Sequence, residues 1–197
     1  SKTIKINPIR FSLQELFAEL EAEFEPQCRN KGLSLEVQSA PADIVTDEQL
    51  LERVIRNLLG NAVRYTGSGM ILLRSKISRK NTLIITVSDT GCGISSDERE
   101  KLFQAYYRGA GGFKAKEGFG LGLSVVKKIC ELLSIDIKVI SRVGKGSIFR
   151  LELPLRVQTS KESSPSKPQA LSLRPLDGTR ILVIEDDRLI RESLKTL

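Results

Sequence analysis

The chain has 197 residues, 40% of them hydrophobic and 28% charged, a formal net charge of +7 and no histidine. Such a length and balance suit one α/β domain of roughly 150 residues with its own core, followed by a tail. They exclude a histidine base, metal ligand or phosphate acceptor within this sequence, a membrane-spanning apolar run, and the aromatic-interleaved basic stripe of a nucleic-acid binder, since Lys and Arg are spread along the chain.

The first predicted element is a helix. Phe11, Leu13, Leu16, Phe17, Leu20 and Phe24 recur at helical spacing, Ser12 is suited to the N-cap, and the helix is expected to end before Pro26. A strand follows at 33–37, then a second helix over 47–65 with Asp47 near its start. Leu50, Val54, Leu58, Leu59 and Ala62 bury one side of it, while Asn57 and Asn61, four apart, share a stripe displaced from that side. Two carboxamides aimed alike offer oxygen ligands to a hard cation that leans on nucleotide phosphates. The same pair also suits an ordinary solvated helix face.

Residues 70–77 and 83–87 read as a hairpin-like pair of strands, the second running on to Asp89-Thr-Gly91-Cys-Gly93-Ile94. A carboxylate only accepts hydrogen bonds, so Asp89 suits a donor such as the exocyclic amine of adenine, and the glycines let backbone approach a flat ring. A plain Asp-Gly turn is the alternative. From Phe103 to Glu117 the chain is rich in glycine and basic residues and poor in periodicity, which suits a lid over a polyphosphate with Phe103 as anchor and Arg108, Lys114 and Lys116 as phosphate contacts, or else an exposed loop.

Gly118-Phe-Gly120-Leu-Gly122-Leu then opens a helix over 121–133, marked by Leu121, Val125, Ile129, Leu132 and Leu133. Its first N–H groups and the positive end of its dipole can cradle phosphate. The Gly-x-Gly-x-Gly spacing and the lack of a strand just ahead of it disfavour a dinucleotide-binding turn. Strands at 136–141 and 147–153 complete the inventory, which makes a mixed sheet covered on one face by helices.

In that order the segments resemble the ATP-binding catalytic domain of sensor histidine kinases, in the superfamily shared with gyrase B, Hsp90 and the MutL proteins. The resemblance rests on the N-box Asn57 to Thr66, the first glycine box Asp89 to Ile94, the F-box region Leu102-Phe103 to Arg108, the second glycine box Gly118 to Leu123, and a closing strand from Gly144 to Pro154; it spans roughly residues 4 to 155. It implies a two-layer α/β sandwich of the Bergerat ATP-binding type over residues 1–156, with ATP and Mg²⁺ as cofactors. Asp89 would receive the adenine amine. Asn61 would coordinate Mg²⁺, with Asn57 supporting metal or phosphate. Tyr65, Gly91, Gly93, Ile94, Phe103, Arg108, Gly118, Gly120, Leu121, Gly122 and Leu123 would line the nucleotide. Asn57 and Arg64 would be the catalytic residues; Arg64 stands where the family commonly has Lys and would present a planar fork to phosphate. Related ATPases carry Glu at the Asn57 position, and an amide cannot activate water as a base.

The implied reaction is transfer of the γ-phosphoryl group to a histidine on dimeric phosphoacceptor helices that this sequence does not include. After a Ser- and Pro-containing stretch read as a linker over 157–178, residues 179–197 resemble the opening of a response-regulator receiver domain, in which Asp186 and Asp187 would help bind Mg²⁺. A hybrid histidine kinase truncated at both ends is the expected parent, with a receiver domain or response regulator as partner, no nucleic acid, and no direct membrane contact by this piece. Cys28, Cys92 and Cys130, odd in number and without metal-ligand spacing, are expected as reduced thiols of a cytoplasmic protein whose parent can be membrane-anchored. Two other classes fit parts of the pattern: a pseudokinase or docking module that acts by binding another kinase, and an ATP-hydrolysing clamp, against which Asn57 and the receiver-like end argue.

Overall fold

A computed structural model describes residues 5–104 and 122–155. All of these lie in the first of two units into which the chain divides, residues 1–156. The element order is β1 (Ile9–Ser12), α1 (Leu13–Asn30), β2 (Leu33–Gln38), β3 (Asp43–Thr46), α2 (Glu48–Tyr65), β4 (Gly69–Ile77), β5 (Thr82–Asp89), α3 (Ser96–Lys101), α4 (Gly122–Leu133), β6 (Asp136–Arg142) and β7 (Gly146–Pro154).

The helices start where their caps dictate. Ser12 accepts the Glu15 N–H and Asp47 accepts the Leu50 N–H, each supplying an oxygen to a first-turn donor that the helix cannot satisfy itself. Pro26, expected to end α1, lies inside it instead. The ring is on the exposed side, where the Ala22 carbonyl that it leaves without a donor can bond water, and burial of Phe24 and Cys28 one turn apart holds the helix together across it. Gln27 adds a side-chain bond to the Glu23 carbonyl at 3.2 Å.

Five strands form one mixed sheet in the order β2-β4-β5-β7-β6, parallel between β2 and β4 and antiparallel elsewhere. The connection that returns the chain from β2 to lie parallel at β4 carries α2, as a parallel pair requires a crossover. A second, two-stranded ribbon pairs β1 with β3. Neither of these four-residue strands, nor the six-residue α3, was expected from periodicity, which needs longer segments to register.

One face of the sheet carries the core. Val37, Leu73, Val87, Phe149 and Val139 stand in register across all five strands, and the next row, Ser75, Ile85, Leu151 and Ile137, runs beside it. Against these pack Leu16, Phe17 and Leu20 of α1, Leu51, Val54, Ile55, Leu58 and Leu59 of α2, and Val126 and Ile129 of α4, in one buried cluster. The result is the two-layer α/β sandwich, with helices on one face of a mixed sheet. At roughly 1.5–3 kcal/mol for each large side chain fully buried, this cluster is the main favourable contribution to folding.

Candidate nucleotide-binding site

Following the core-facing rows toward one end of the sheet, the next register row holds Ile71, Asp89, Ser147 and Ser141, and past Ile71 it is polar. Alternation along β5 puts Asp89 on the same side as Leu83, Ile85 and Val87, where the helical layer lies. A carboxylate has thus taken the place of a core residue at the margin of the core. Its Oδ1 accepts the Gly91 N–H at 2.9 Å, closing a tight side-chain turn. Burial pushes the Asp89 carboxyl up to about 6, opposed by the backbone N–H groups of Gly91 and Ser147.

The loop after Asp89 is clamped from both sides. Cys92 N–H donates to the Tyr65 carbonyl at 3.2 Å, and Cys92 O accepts from Gly144 N–H at 2.7 Å. Ile94 N–H donates to Ser141 Oγ at 2.8 Å. Gly91 and Gly93 fit only because they lack a side chain. A Cβ at Gly91 would overlap the Tyr65 carbonyl, and one at Gly93, where φ is +69°, would overlap the Arg142 carbonyl.

Across from this loop, α2 presents the half-buried Asn57 and Asn61 on its stripe beside the apolar face, with Arg64 and Tyr65 exposed in its last turn. Asn57 Nδ2 donates to the Arg53 carbonyl at 2.8 Å. That leaves Oδ1 outward, where it faces the first residue of α4: a Cβ on Gly122 would stand 3.0 Å from it. The start of α4 and the Asn57 carboxamide are therefore neighbours, and α2 and α4 pack side by side. Leu123 is half-buried against the core, as is Ile94, while Phe103 is half-buried just after α3. A capping box of Ser95 and Glu98 starts α3.

The structure thus brings Asn57 and Gly122 together, ties the Tyr65 backbone to the Asp89 loop, and sets Ile94 on Ser141. Arg108, Gly118, Gly120, Leu121, Lys114, Lys116, Asp186 and Asp187 lie outside the described residues. Sequence reasoning missed Ser147 and Ser141 as members of the Asp89 row. Their signal was faint: two hydroxyls where alternation along β6 and β7 calls for apolar residues.

Residues 46–157 match the family described as histidine kinase-, DNA gyrase B-, and HSP90-like ATPase. The chain belongs to this family. Among its relatives, the autoinducer 2 sensor kinase/phosphatase LuxQ of Vibrio vulnificus is 34% identical over 90% of this chain and 22% of its own length. The sensor histidine kinase AruS of Pseudomonas aeruginosa is 34% identical over 96% of this chain and 19% of its own. The chain thus spans about a fifth of the length of these relatives. Among solved structures it is similar to full-length ShkA in complex with AMPPNP, with a TM-score of 0.70 and 25% identity over 79% of this chain and 32% of that one. The histidine-kinase-type ATPase domain recognised from its motifs is therefore the domain the chain contains. Among the described residues no helix is long and apolar enough to cross a membrane. Cys28 and Cys130 are buried on α1 and α4, and all three cysteines are free thiols.

Proposed function

We propose that this chain binds Mg-ATP and donates the γ-phosphoryl group to a histidine on phosphoacceptor helices outside this sequence, within a two-component phosphorelay. The observation that carries the reading is that α2, whose Asn57 stands beside the start of α4, is tied at its last turn to the loop that follows the acceptor-only carboxylate of Asp89, in a family whose relatives are named sensor kinases.

Asp89 accepts the adenine amine with an oxygen already oriented by the Gly91 N–H. The glycine backbone of 91–93 leaves room for the ring. Asn61, with Asn57 beside Gly122, holds the cation that arrives on the phosphates. The donor set fits that role, because carboxamide oxygens are hard but uncharged ligands, and among the described residues no group of three His, Cys, Asp or Glu is placed to hold a metal without the nucleotide. Bound Mg²⁺ would neutralise charge on the transferring group. Arg64 contributes a second cation from the last turn of α2, and Asn57, an amide, has no basicity with which to activate water. Phosphate therefore goes to a supplied acceptor rather than to solvent.

Similarity to AruS over 96% of the chain takes in most of residues 157–197. That supports reading 179–197 as the start of a receiver domain, with Asp186 and Asp187 as its acidic pair, and a hybrid kinase as the parent. Arg108, Gly118, Gly120 and Leu121 are assigned to the phosphate side on their motif.

The test mixes the chain with the histidine-bearing helices of its own parent and Mg-ATP. Acid-labile, base-stable phosphohistidine on the helices, lost in Asn61→Ala, is the expected result. ATP hydrolysis by the isolated chain without phosphotransfer would overturn the assignment in favour of a clamp-type ATPase.

A further inference from the structure

The last four carbonyls of a helix have no partner inside it, and at the end of α2 all four find donors elsewhere. Thr66 N–H donates to the Ala62 carbonyl at 3.0 Å and Cys92 N–H to that of Tyr65 at 3.2 Å. The two between them share one side chain: Lys31 Nζ donates to the Val63 carbonyl at 2.7 Å and to the Arg64 carbonyl at 3.4 Å. Lys31 is the C-cap of α1, where its own N–H bonds the Cys28 carbonyl and the next residue, Gly32, bonds that of Arg29, each at 3.0 Å. The lysine stem thus leaves from a fixed cap on one helix and its charge ends on the C-terminus of another. There the partial negative charge of the helix dipole favours a cation, and an ammonium with three donors can serve two carbonyls at once.

This turn carries the site. Asn61 precedes it, Arg64 and Tyr65 lie within it, and the Tyr65 carbonyl is the anchor for the loop that begins at Asp89. We propose that Lys31 is a positioning residue for the nucleotide pocket: by binding the Val63 and Arg64 carbonyls it holds the last turn of α2 and, through the Tyr65–Cys92 hydrogen bond, the Asp89–Gly93 loop in register with Asn61. This rests on the reading of that pocket as a nucleotide site. Removing the ammonium leaves two carbonyls to water, loosens the turn that presents Tyr65 O, and weakens one of the two sides from which the loop is clamped.

The test compares wild type with Lys31→Met, which keeps the stem and loses the charge, and with Lys31→Arg, which restores a cation. Amide hydrogen exchange is read in the nucleotide-free chain and Mg-ATP affinity by calorimetry. In Lys31→Met, residues 62–66 and 90–94 are expected to exchange faster while β5 and β7 keep their protection. Affinity is expected to fall about tenfold, the scale of one charge-assisted hydrogen bond, and Lys31→Arg is expected to recover most of both. Unchanged exchange at 90–94 in Lys31→Met overturns the proposal, whether affinity holds or drops, because a drop alone would make Lys31 a direct contact. Faster exchange at 62–66 and 90–94 in a chain whose wild type binds no adenine nucleotide keeps the coupling and removes the nucleotide reading instead. Should Lys31→Met lose protection throughout, Lys31→Gln, which is polar but uncharged and one bond shorter than the lysine, takes its place, with faster exchange at 62–66 and 90–94 expected and unchanged exchange at both 62–66 and 90–94 overturning the proposal.

Discussion

The backbone N–H of Ile94 reaches Ser141 Oγ at 2.8 Å across 47 residues of sequence, so the edge strand β6 holds the loop that leaves the central strand β5. Ser141 Oγ in turn donates to the Gly146 carbonyl at 2.8 Å and stands 3.0 Å from Ser147 Oγ. One hydroxyl thereby joins the nucleotide-side loop, the β6–β7 turn and the strand whose Ser147 N–H supports Asp89. Ser141→Ala leaves the Ile94 N–H without its partner at a half-buried position. A loss of about 1–3 kcal/mol in urea-induced unfolding is expected, together with weaker Mg-ATP binding. Unchanged affinity in the folded variant would show that the loop is held without this bond.

With the adenine role proposed for it, Asp89 is expected to couple stability and binding with opposite signs. Its carboxyl is raised from 3.8 to about 6 by burial, so the folded state holds the proton more tightly than the unfolded one. The stabilisation this gives is complete below pH 3.8 and is lost as pH rises through about 6. By pH 7 the ionised group costs about 3 kcal/mol. Asp89→Asn is therefore expected to be more stable than wild type at pH 7 by up to about that amount, the gap closing toward pH 4 in denaturation curves.

Nucleotide binding should follow the other sign. The adenine amine needs an ionised acceptor, so affinity measured by calorimetry should fall as pH drops through about 6. At neutral pH, Asp89→Asn should bind Mg-ATP about ten- to a hundredfold more weakly, as expected for one charge-assisted hydrogen bond. A variant that gained stability and kept full affinity would place the adenine elsewhere.

Gly93 and Gly146 are expected to tolerate no side chain. Gly146, at φ +107°, lies so close to Asp89 that a Cβ would overlap its carbonyl oxygen, and Gly93 meets the Arg142 carbonyl in the same way. Both obstacles are backbone in paired strands or their turns and cannot swing aside. Gly146→Ala should cost about 3 kcal/mol or more, combining strain with overpacking, read as a lowered melting temperature. Gly144→Ala, with φ +76° but open space around it, should cost only the backbone strain of about 1 kcal/mol.

Asn61→Ala separates cation from nucleotide. If Asn61 ligates the cation carried by the phosphates, the ratio of ATP affinities with and without Mg²⁺ should fall toward one, while adenosine affinity stays within about twofold, well under the 1.4 kcal/mol of a tenfold change. Equal losses for adenosine and Mg-ATP would assign Asn61 to the shape of the pocket.

Local backbone geometry made much of this legible in the residues alone. Helical periodicity over 47–65 sufficed to put Asn57 and Asn61 on one stripe, Ser12 was readable as a cap and Asp47 as lying near a helix start, and the alternating β-branched run ahead of Asp89 marked it as the end of a strand, because each follows from positions a few residues apart. What required the tertiary structure are partnerships across the sheet and between helices. Pro26 stays inside α1 because Phe24 and Cys28 are buried around it. Asp89 joins Ser147 and Ser141 in one row because the strand order is β5-β7-β6, and Lys31 caps α2 because the ends of two helices meet. Lys31 and Val63 are 32 residues apart along the chain, and Asp89 and Ser147 are 58 apart, separations at which no local period survives, and only the packing of the core against the sheet decides which polar groups are left at its margin to meet a nucleotide.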